Sequence, residues 1–326
     1  MNTKTRALIL LGTAGLVLTG CGRHSRSEVF YLITSNAALP YWKTAAAGFQ
    51  HAAAAYNVQA KIEGPDGYDP QAELAALRRA TNARPAGILI SVADASVLQP
   101  GIDAAVNAGI PVITVDSDAS ASRRLFFIGT NNLEAGRLAG RRISDRLTKG
   151  NLLVFTIAGQ PNTDERLEGL RAALSTKAAI KVTDVIDVKG DAREAFDRAL
   201  QAAAQTGVNR IDGFLCLDSA SGKVVADALK RANVTDRLLV AWDVNQDTLN
   251  GIKAGIINAT VAQKPYSMGY VGLKSLDEIH HAPPKDLARD FTSDSFSPYP
   301  TFVDTGTSVV DQGNVDAYIA AAQNQK

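Results

Sequence analysis

From residue 29 onward, short runs of β-branched and other apolar residues alternate with segments of about 12–18 residues whose apolar positions recur every three or four steps. Parallel strands cannot be joined by a tight turn, so this alternation predicts parallel sheets linked by crossover helices. Two successive series can be read. The first predicts strands at 29–34, 58–63, 87–91 and 110–115, with a further extended run at 125–129. The second predicts strands at 152–157, 181–188, 212–217, 238–242 and 258–263. Between them, Asp69-Pro70 supplies an N-cap followed by proline at the first helical position. Leu133, Gly136, Gly140, Ile143 and Leu147 mark one helix face, whose glycines would let the helix sit close to its sheet. With 326 residues, 46% of them hydrophobic, the chain is long enough for two cores, because single cores stop growing at about 250–300 residues. The expected fold class is α/β, one architecture used twice.

In doubly wound sheets ligands bind in the crevice outside the carboxyl ends of the strands, so the residues standing there carry the functional argument. Ser35-Asn36 follows the first predicted strand, Asp116-Ser117-Asp118 the fourth, and Asn131-Asn132 the run at 125–129. In the second series the segment from Gly159 to Arg166, then Asp218, Asp243 and Gln263, occupies the corresponding ends, and Tyr41 and Trp42 lie just beyond the first strand. Carboxylates, amides and a guanidinium can each hold two adjacent hydroxyls in a fork, and an aromatic ring can cover an apolar C–H face. Such a set suits a carbohydrate. Plainer roles compete at each position. Asp116 and Asp243 can cap the turns that follow. Tyr41 and Trp42, being adjacent, point in different directions, so one of them is expected to face a cleft. Gln263 leads into Lys264-Pro265, where a crossover also wants a polar residue. Arg166 sits one turn into a helix starting near Asn162-Thr163, an unfavourable end for a cation, which favours a ligand contact over a surface ion pair.

Residues 1–21 follow another pattern: Lys4 and Arg6 precede an apolar run from Ala7 to Leu18. The run falls short of the roughly 20 residues that span a bilayer, so it reads as an export signal. Leu18-Thr19-Gly20-Cys21 resembles the lipobox of bacterial lipoproteins, in which the cysteine is acylated and becomes the first mature residue. That resemblance implies a lipid anchor at Cys21 in the cell envelope; an ordinary signal peptide with an incidental cysteine is the alternative. With Cys21 acylated, Cys216 has no disulfide partner. Residues 22–28 are short and polar, as a tether would be. A formal net charge of +1, with no block of like charge, leaves no footprint for nucleic acid. His24 in the tether, His51 in a helix and His280-His281 at a helix end lack the spacing of a zinc site and are expected in solvent. There is no Gly-x-Ser-x-Gly elbow, and Ser221-Gly222-Lys223 lacks the upstream glycine of a phosphate loop. Neither a metal, a cofactor nor a catalytic apparatus is expected. Paired-carboxylate glycosidase chemistry would lack a barrel to house it.

Taken in order, Ser35 with Pro40-Tyr41-Trp42, the run Pro111 to Asp116, Ile128 to Asn132 through Ala135-Gly136, Glu165-Arg166, Val240-Ala241-Trp242-Asp243 and Ala259 to Gln263 resemble the type I periplasmic binding proteins. The likeness is to the ribose-binding-like branch that serves sugar ABC transporters, and it runs over nearly all of the chain beyond the tether. It implies two Rossmann-like lobes joined by a three-segment hinge. The N-terminal lobe would hold 29–131 and 264–303, the C-terminal lobe 132–263 and 304–326, with crossings near 130–133, 263–265 and 303–306. It implies ligand contacts at Tyr41, Trp42, Asp116, Arg166, Asp243 and Gln263, with Ser35, Asn131 and Asp218 as further candidates. Asp218 substitutes for an asparagine that ribose binders place after the third strand of the second lobe. Ser117 stands where ribose binders have an arginine, which moves the expectation away from ribose. Asp116, Asp118, Asp218 and Asp243 then face chiefly Arg166, an acceptor-rich balance that a polyol, a hexose or an amino sugar would fit. The resemblance further implies a monomer that is no enzyme and hands its ligand to a membrane ABC permease. A sugar-sensing receptor docked on a membrane kinase or chemoreceptor is the alternative. A lactose-repressor-type regulator is excluded, because an export signal stands where its helix-turn-helix would be.

Overall fold

Strands and helices alternate from β1 (Val29–Ile33) through α1 (Pro40–Tyr56), β2 (Gln59–Glu63), α2 (Pro70–Asn82), β3 (Gly87–Ile90), α3 (Ala95–Asn107) and β4 (Val112–Val115) to β5 (Phe127–Gly129). A second series runs α4 (Asn132–Ser144), β6 (Gly150–Thr156), α5 (Pro161–Leu174), β7 (Ile180–Asp187), α6 (Ala192–Ala203), β8 (Gly213–Cys216), α7 (Ser221–Arg231), β9 (Leu238–Trp242), α8 (Gln246–Lys253) and β10 (Ala259–Ala262). Then come α9 (Pro265–His281), β11 (Phe302–Asp304), β12 (Ser308–Asp311) and α10 (Val315–Gln323). The computed structural model describes residues 24–323. The export signal and Cys21 lie outside the described residues, among which no helix is long and apolar enough to cross a membrane.

The strands form two six-stranded sheets, ordered β2-β1-β3-β4-β5-β11 and β7-β6-β8-β9-β10-β12. All neighbours are parallel except β10 and β12. The fold is therefore α/β with two lobes of the same strand order, which differ in the direction of the last strand. Central strands such as β3, β4, β8 and β9 are buried along their whole length because helices cover both faces, which is why they read as unbroken apolar runs. Phe30, Phe49 and Leu276 lead the core on one face of the first sheet, and Leu77, Ile88 and Leu98 that on the other. In the second lobe Phe155, Phe214 and Val225 face Ile143, Leu170 and Trp242 across the sheet. Cys216 is a buried free thiol.

The chain passes between the sheets three times: from β5 to α4, from β10 to α9, and from β11 to β12. Helix α4 then packs on α5, and α9 returns to pack on α1. The glycine face of α4 serves this contact, helix against helix, and not the close approach to a sheet that its spacing suggested. A Cβ added to Gly136 would fall 2.1 Å from the carbonyl oxygen of Arg166, and one added to Gly169 would fall 2.0 Å from that of Leu133. The backbone that carries Arg166 is thus set by a bare spot on the neighbouring helix. Two histidines depart from expectation. His24 and His281 are half-buried and converge on Asp277, while His51 stays exposed beside the Tyr266 hydroxyl.

Candidate functional site

Two aspartates end equivalent strands, Asp116 after β4 and Asp243 after β9, and both adopt left-handed backbone angles, φ +66° and +63°. Aspartate tolerates this region better than most side chains, but the strain persists only where the surroundings enforce it. Here they do: the Asp116 N–H still donates to the Ile128 carbonyl at 3.0 Å and that of Asp243 to Val261 at 2.8 Å. The sheet ladder therefore holds each residue in place while the backbone turns its carboxylate toward the other lobe. The two strand ends close on a cleft between the lobes that is partly open to solvent.

Of the candidate residues, Ser35, Tyr41, Trp42, Asp116, Arg166, Asp218, Asp243 and Gln263 line this cleft. Both aromatic residues border it, where only one was expected, with their rings edge to face at 5.2 Å. The Tyr41 hydroxyl donates to Asp116 Oδ1 at 2.6 Å. Arg166 is 3% exposed and spends three of its five N–H bonds on the protein. Nε donates to Asn132 Oδ1 at 2.9 Å, Nη1 to the Leu217 carbonyl at 2.8 Å and Nη2 to Gln263 Oε1 at 3.0 Å. Its guanidinium also lies over the Trp242 ring, 4.4 Å from the centroid. Gln263 accepts a second bond from Thr130 Oγ1 at 2.9 Å and donates through Nε2 to Asp243 Oδ1 at 2.9 Å. One chain of bonds thus runs from Arg166 through Gln263 to Asp243, leaving two guanidinium N–H bonds for a guest.

Three expectations need correction. Asn131 faces away and caps α4, its Oδ1 accepting from the Glu134 N–H at 3.1 Å, while Asn132 next to it reaches Arg166. Ser117 is wholly buried and does not line the cleft. Asp118 is neutralised locally by a two-pronged pairing with Arg124 and by Thr114 Oγ1 at 2.6 Å, so it adds no acceptor to the cleft. Asp218 does line the wall, but its carboxylate is already occupied by the Ala220 and Ser221 N–H groups and the Ser221 hydroxyl. Asn162, expected only within the Gly159–Arg166 segment at a helix start, has a direct role. Its Nδ2 donates across the gap to Asp116 Oδ2 at 3.0 Å, and its own Oδ1 has no hydrogen-bond partner among the described residues. Tyr68, Gln160 and Thr163 also contribute to the lining.

Burial dominates the electrostatics. It pushes the Asp243 carboxyl up to about 7 against the pull of Arg166. Asp116 is raised for the same reason, opposed by Arg166 and by the bonds from Tyr41 and Asn162. The Tyr41 phenol moves well above its ordinary value through burial and the neighbouring Asp116 charge. Hydrogen-bond donors from a guest would stabilise both carboxylates in their ionised form.

A family model described as a periplasmic binding protein domain matches residues 30–281. The chain belongs to this family. A ribose import binding protein of Bacillus subtilis is 27% identical over 202 residues, covering 60% of this chain and 63% of that protein. A sugar-binding protein of a sugar ABC transporter from Bacillus halodurans superimposes with a TM-score of 0.78 at 33% identity, covering 89% of this chain and all of the other. An arabinose-binding protein from Geobacillus stearothermophilus gives 0.73 at 32% identity, covering 89% and 99%.

Proposed function

We propose that this protein captures a monosaccharide or a closely related polyol between its lobes, without transforming it, and delivers it to a membrane ABC permease. It does so as an exported monomer held in the cell envelope by lipid on Cys21. The observation that supports this most is the pair of left-handed aspartates, one from each sheet, facing a single part-used guanidinium beside Tyr41 and Trp42. Ionised forks of this kind fit adjacent hydroxyls, and an aromatic wall fits the C–H face between them. The lobes, 29–131 with 264–303 and 132–263 with 304–326, would open and close about the three crossings. Family membership and the sugar-binding names of the similar proteins point the same way.

A thermal-shift panel of monosaccharides and polyols tests the reading. A true ligand at a hundredfold excess over its Kd adds about 2.7 kcal/mol of stability. It also changes the fluorescence of Trp42, which borders the cleft, and of Trp242 beneath Arg166. A complete panel without any shift rejects sugar binding.

Closure itself can be probed at the mouth. Gly190, after β7, has φ +73°, and a Cβ there would fall 2.6 Å from the Tyr68 Cβ on the opposite lobe. Gly190→Val is expected to weaken ligand binding about tenfold or more by propping the lobes apart, at a cost of roughly 1–3 kcal/mol for the overpacked contact. Calorimetric titration checks this, and unchanged affinity would mean that this contact plays no part in the bound state.

A further inference from the structure

At the end of α9 away from the crossing that leads into it, the start of the described chain folds back onto that helix. A turn closed by the Glu28 N–H on the Ser25 carbonyl at 2.9 Å brings His24 and Glu28 to the same place. One helical turn apart on α9, Asp277 and His281 meet them there. His24 Nε2 lies 2.9 Å from Asp277 Oδ2, and His281 Nε2 lies 3.5 Å from Glu28 Oε2. One ligand atom each from His24, Asp277 and His281 fits within a mutual distance of 4.8 Å.

We propose that His24, Asp277 and His281 bind one divalent transition-metal ion of zinc's kind, with water in the remaining position. In a tetrahedral site with bonds of 2.0–2.1 Å, neighbouring ligand atoms stand about 3.3 Å apart, which the 2.9 Å from His24 Nε2 to Asp277 Oδ2 and the 3.5 Å from His281 to Asp277 Oδ1 bracket. Two imidazoles and one carboxylate form a donor set suited to zinc, and Glu28 beside His281 adds a second negative charge toward balancing a dication. The His281 ring is already oriented for the task. Its Nδ1 lies 2.9 Å from the Asp277 carbonyl oxygen and 3.5 Å from Asp277 Oδ1, which turns the ring edge toward this carboxylate. The second observation is Asp277 itself. It is wholly buried, and its Oδ1 has no hydrogen-bond partner among the described residues, nor does Glu28 Oε2. Carboxylate oxygens left in this condition are costly unless a cation lies among them. A bound ion would fasten the first described residues to α9, close to where the chain leads back to Cys21.

Two imidazolium protons in place of a metal are the competing arrangement, and titration separates them. The full chain, purified in detergent without a tag and stripped with a chelator, is titrated calorimetrically with zinc chloride and, in parallel, with cobalt chloride read by visible absorption. The expected result is one zinc per chain, the intense visible bands of four-coordinate cobalt, and a rise in melting temperature that chelator reverses. His24→Gln and His281→Gln each weaken zinc by about a hundredfold or more, since even outer-sphere partners are worth 10–100-fold. His24 lies outside every helix and strand and glutamine can still donate to Asp277 Oδ2, so His24→Gln should fold and keep the test interpretable if His281→Gln does not. No stoichiometric uptake by the wild type, or wild-type zinc affinity in His24→Gln, overturns the proposal.

Discussion

Replacing Arg166 with methionine should abolish sugar binding and lower the stability of the ligand-free protein by on the order of 3–5 kcal/mol at neutral pH, because it leaves buried charges without their counterion. Methionine fills much of the space of the arginine stem and can still lie on the Trp242 ring, so the loss isolates the guanidinium. Asn132 Oδ1 and the Leu217 carbonyl lose their donors, and Gln263 Oε1 keeps only the bond from Thr130. Asp116 and Asp243 lose the cation that opposes the effect of burial on both. Their carboxyls then hold protons to higher pH than before. A folded-state value raised above the unfolded one contributes stability that is present at low pH and lost as pH rises through the raised value. The deficit should therefore be greatest at pH 7 and above and shrink on acidification. Urea unfolding followed by circular dichroism at pH 5 and pH 8 measures it. A variant with the wild-type midpoint at both would show that the aspartates do not depend on Arg166.

What could be read from the chain, and what could not, divides along the range of the interactions. All ten expected strands form, with ends displaced by no more than two residues, and the inner ones announce themselves locally because a strand covered on both faces must be apolar throughout. Strands β11 and β12 escaped that reading. They are three and four residues long, only partly buried, and follow a stretch of turns with no period. The cleft was legible where a strand end itself supplies the residue, as at Asp116, Asp243 and Gln263, since strand polarity alone directs those positions to the crevice. It failed where side-chain direction decides. Asn131 and Asn132 differ only in which side of the α4 start they occupy, and one caps while the other braces Arg166. Asp118 looked like a free acceptor because Arg124, six residues on, gave no sign of turning back to it. Asn162 meets Asp116 only through the approach of two lobes, and His24 meets Asp277 across 253 residues of chain. No local pattern records such meetings.

Asp243→Ala is expected to cost on the order of 2–4 kcal/mol of sugar binding, about thirty- to a thousandfold in Kd, since a buried fork to two hydroxyls is lost. Asp243→Asn separates charge from shape. The amide oxygen can still accept from Gln263 Nε2, so the chain of bonds from Arg166 survives and the loss should be smaller than in the alanine variant. The two forms also differ in how they respond to pH. In the wild type burial places the Asp243 carboxyl at about 7, above the unfolded value of about 4. Stability of the ligand-free protein from this group is fully present below about 4 and lost as pH rises through about 7. A guest whose hydroxyls donate prefers the ionised carboxylate, so binding releases a proton below that point, and affinity rises with pH until it levels off above about 7. Acidification thus steadies the empty protein while it weakens the complex, two slopes of opposite sign from a single titration. Asp243→Asn should flatten both, the first read by melting and the second by calorimetry in buffers of different ionisation heat. If the asparagine variant keeps the wild-type proton release, the linked group lies elsewhere, and Asp116, also raised by burial and bonded to Tyr41, becomes the carboxylate that senses the guest.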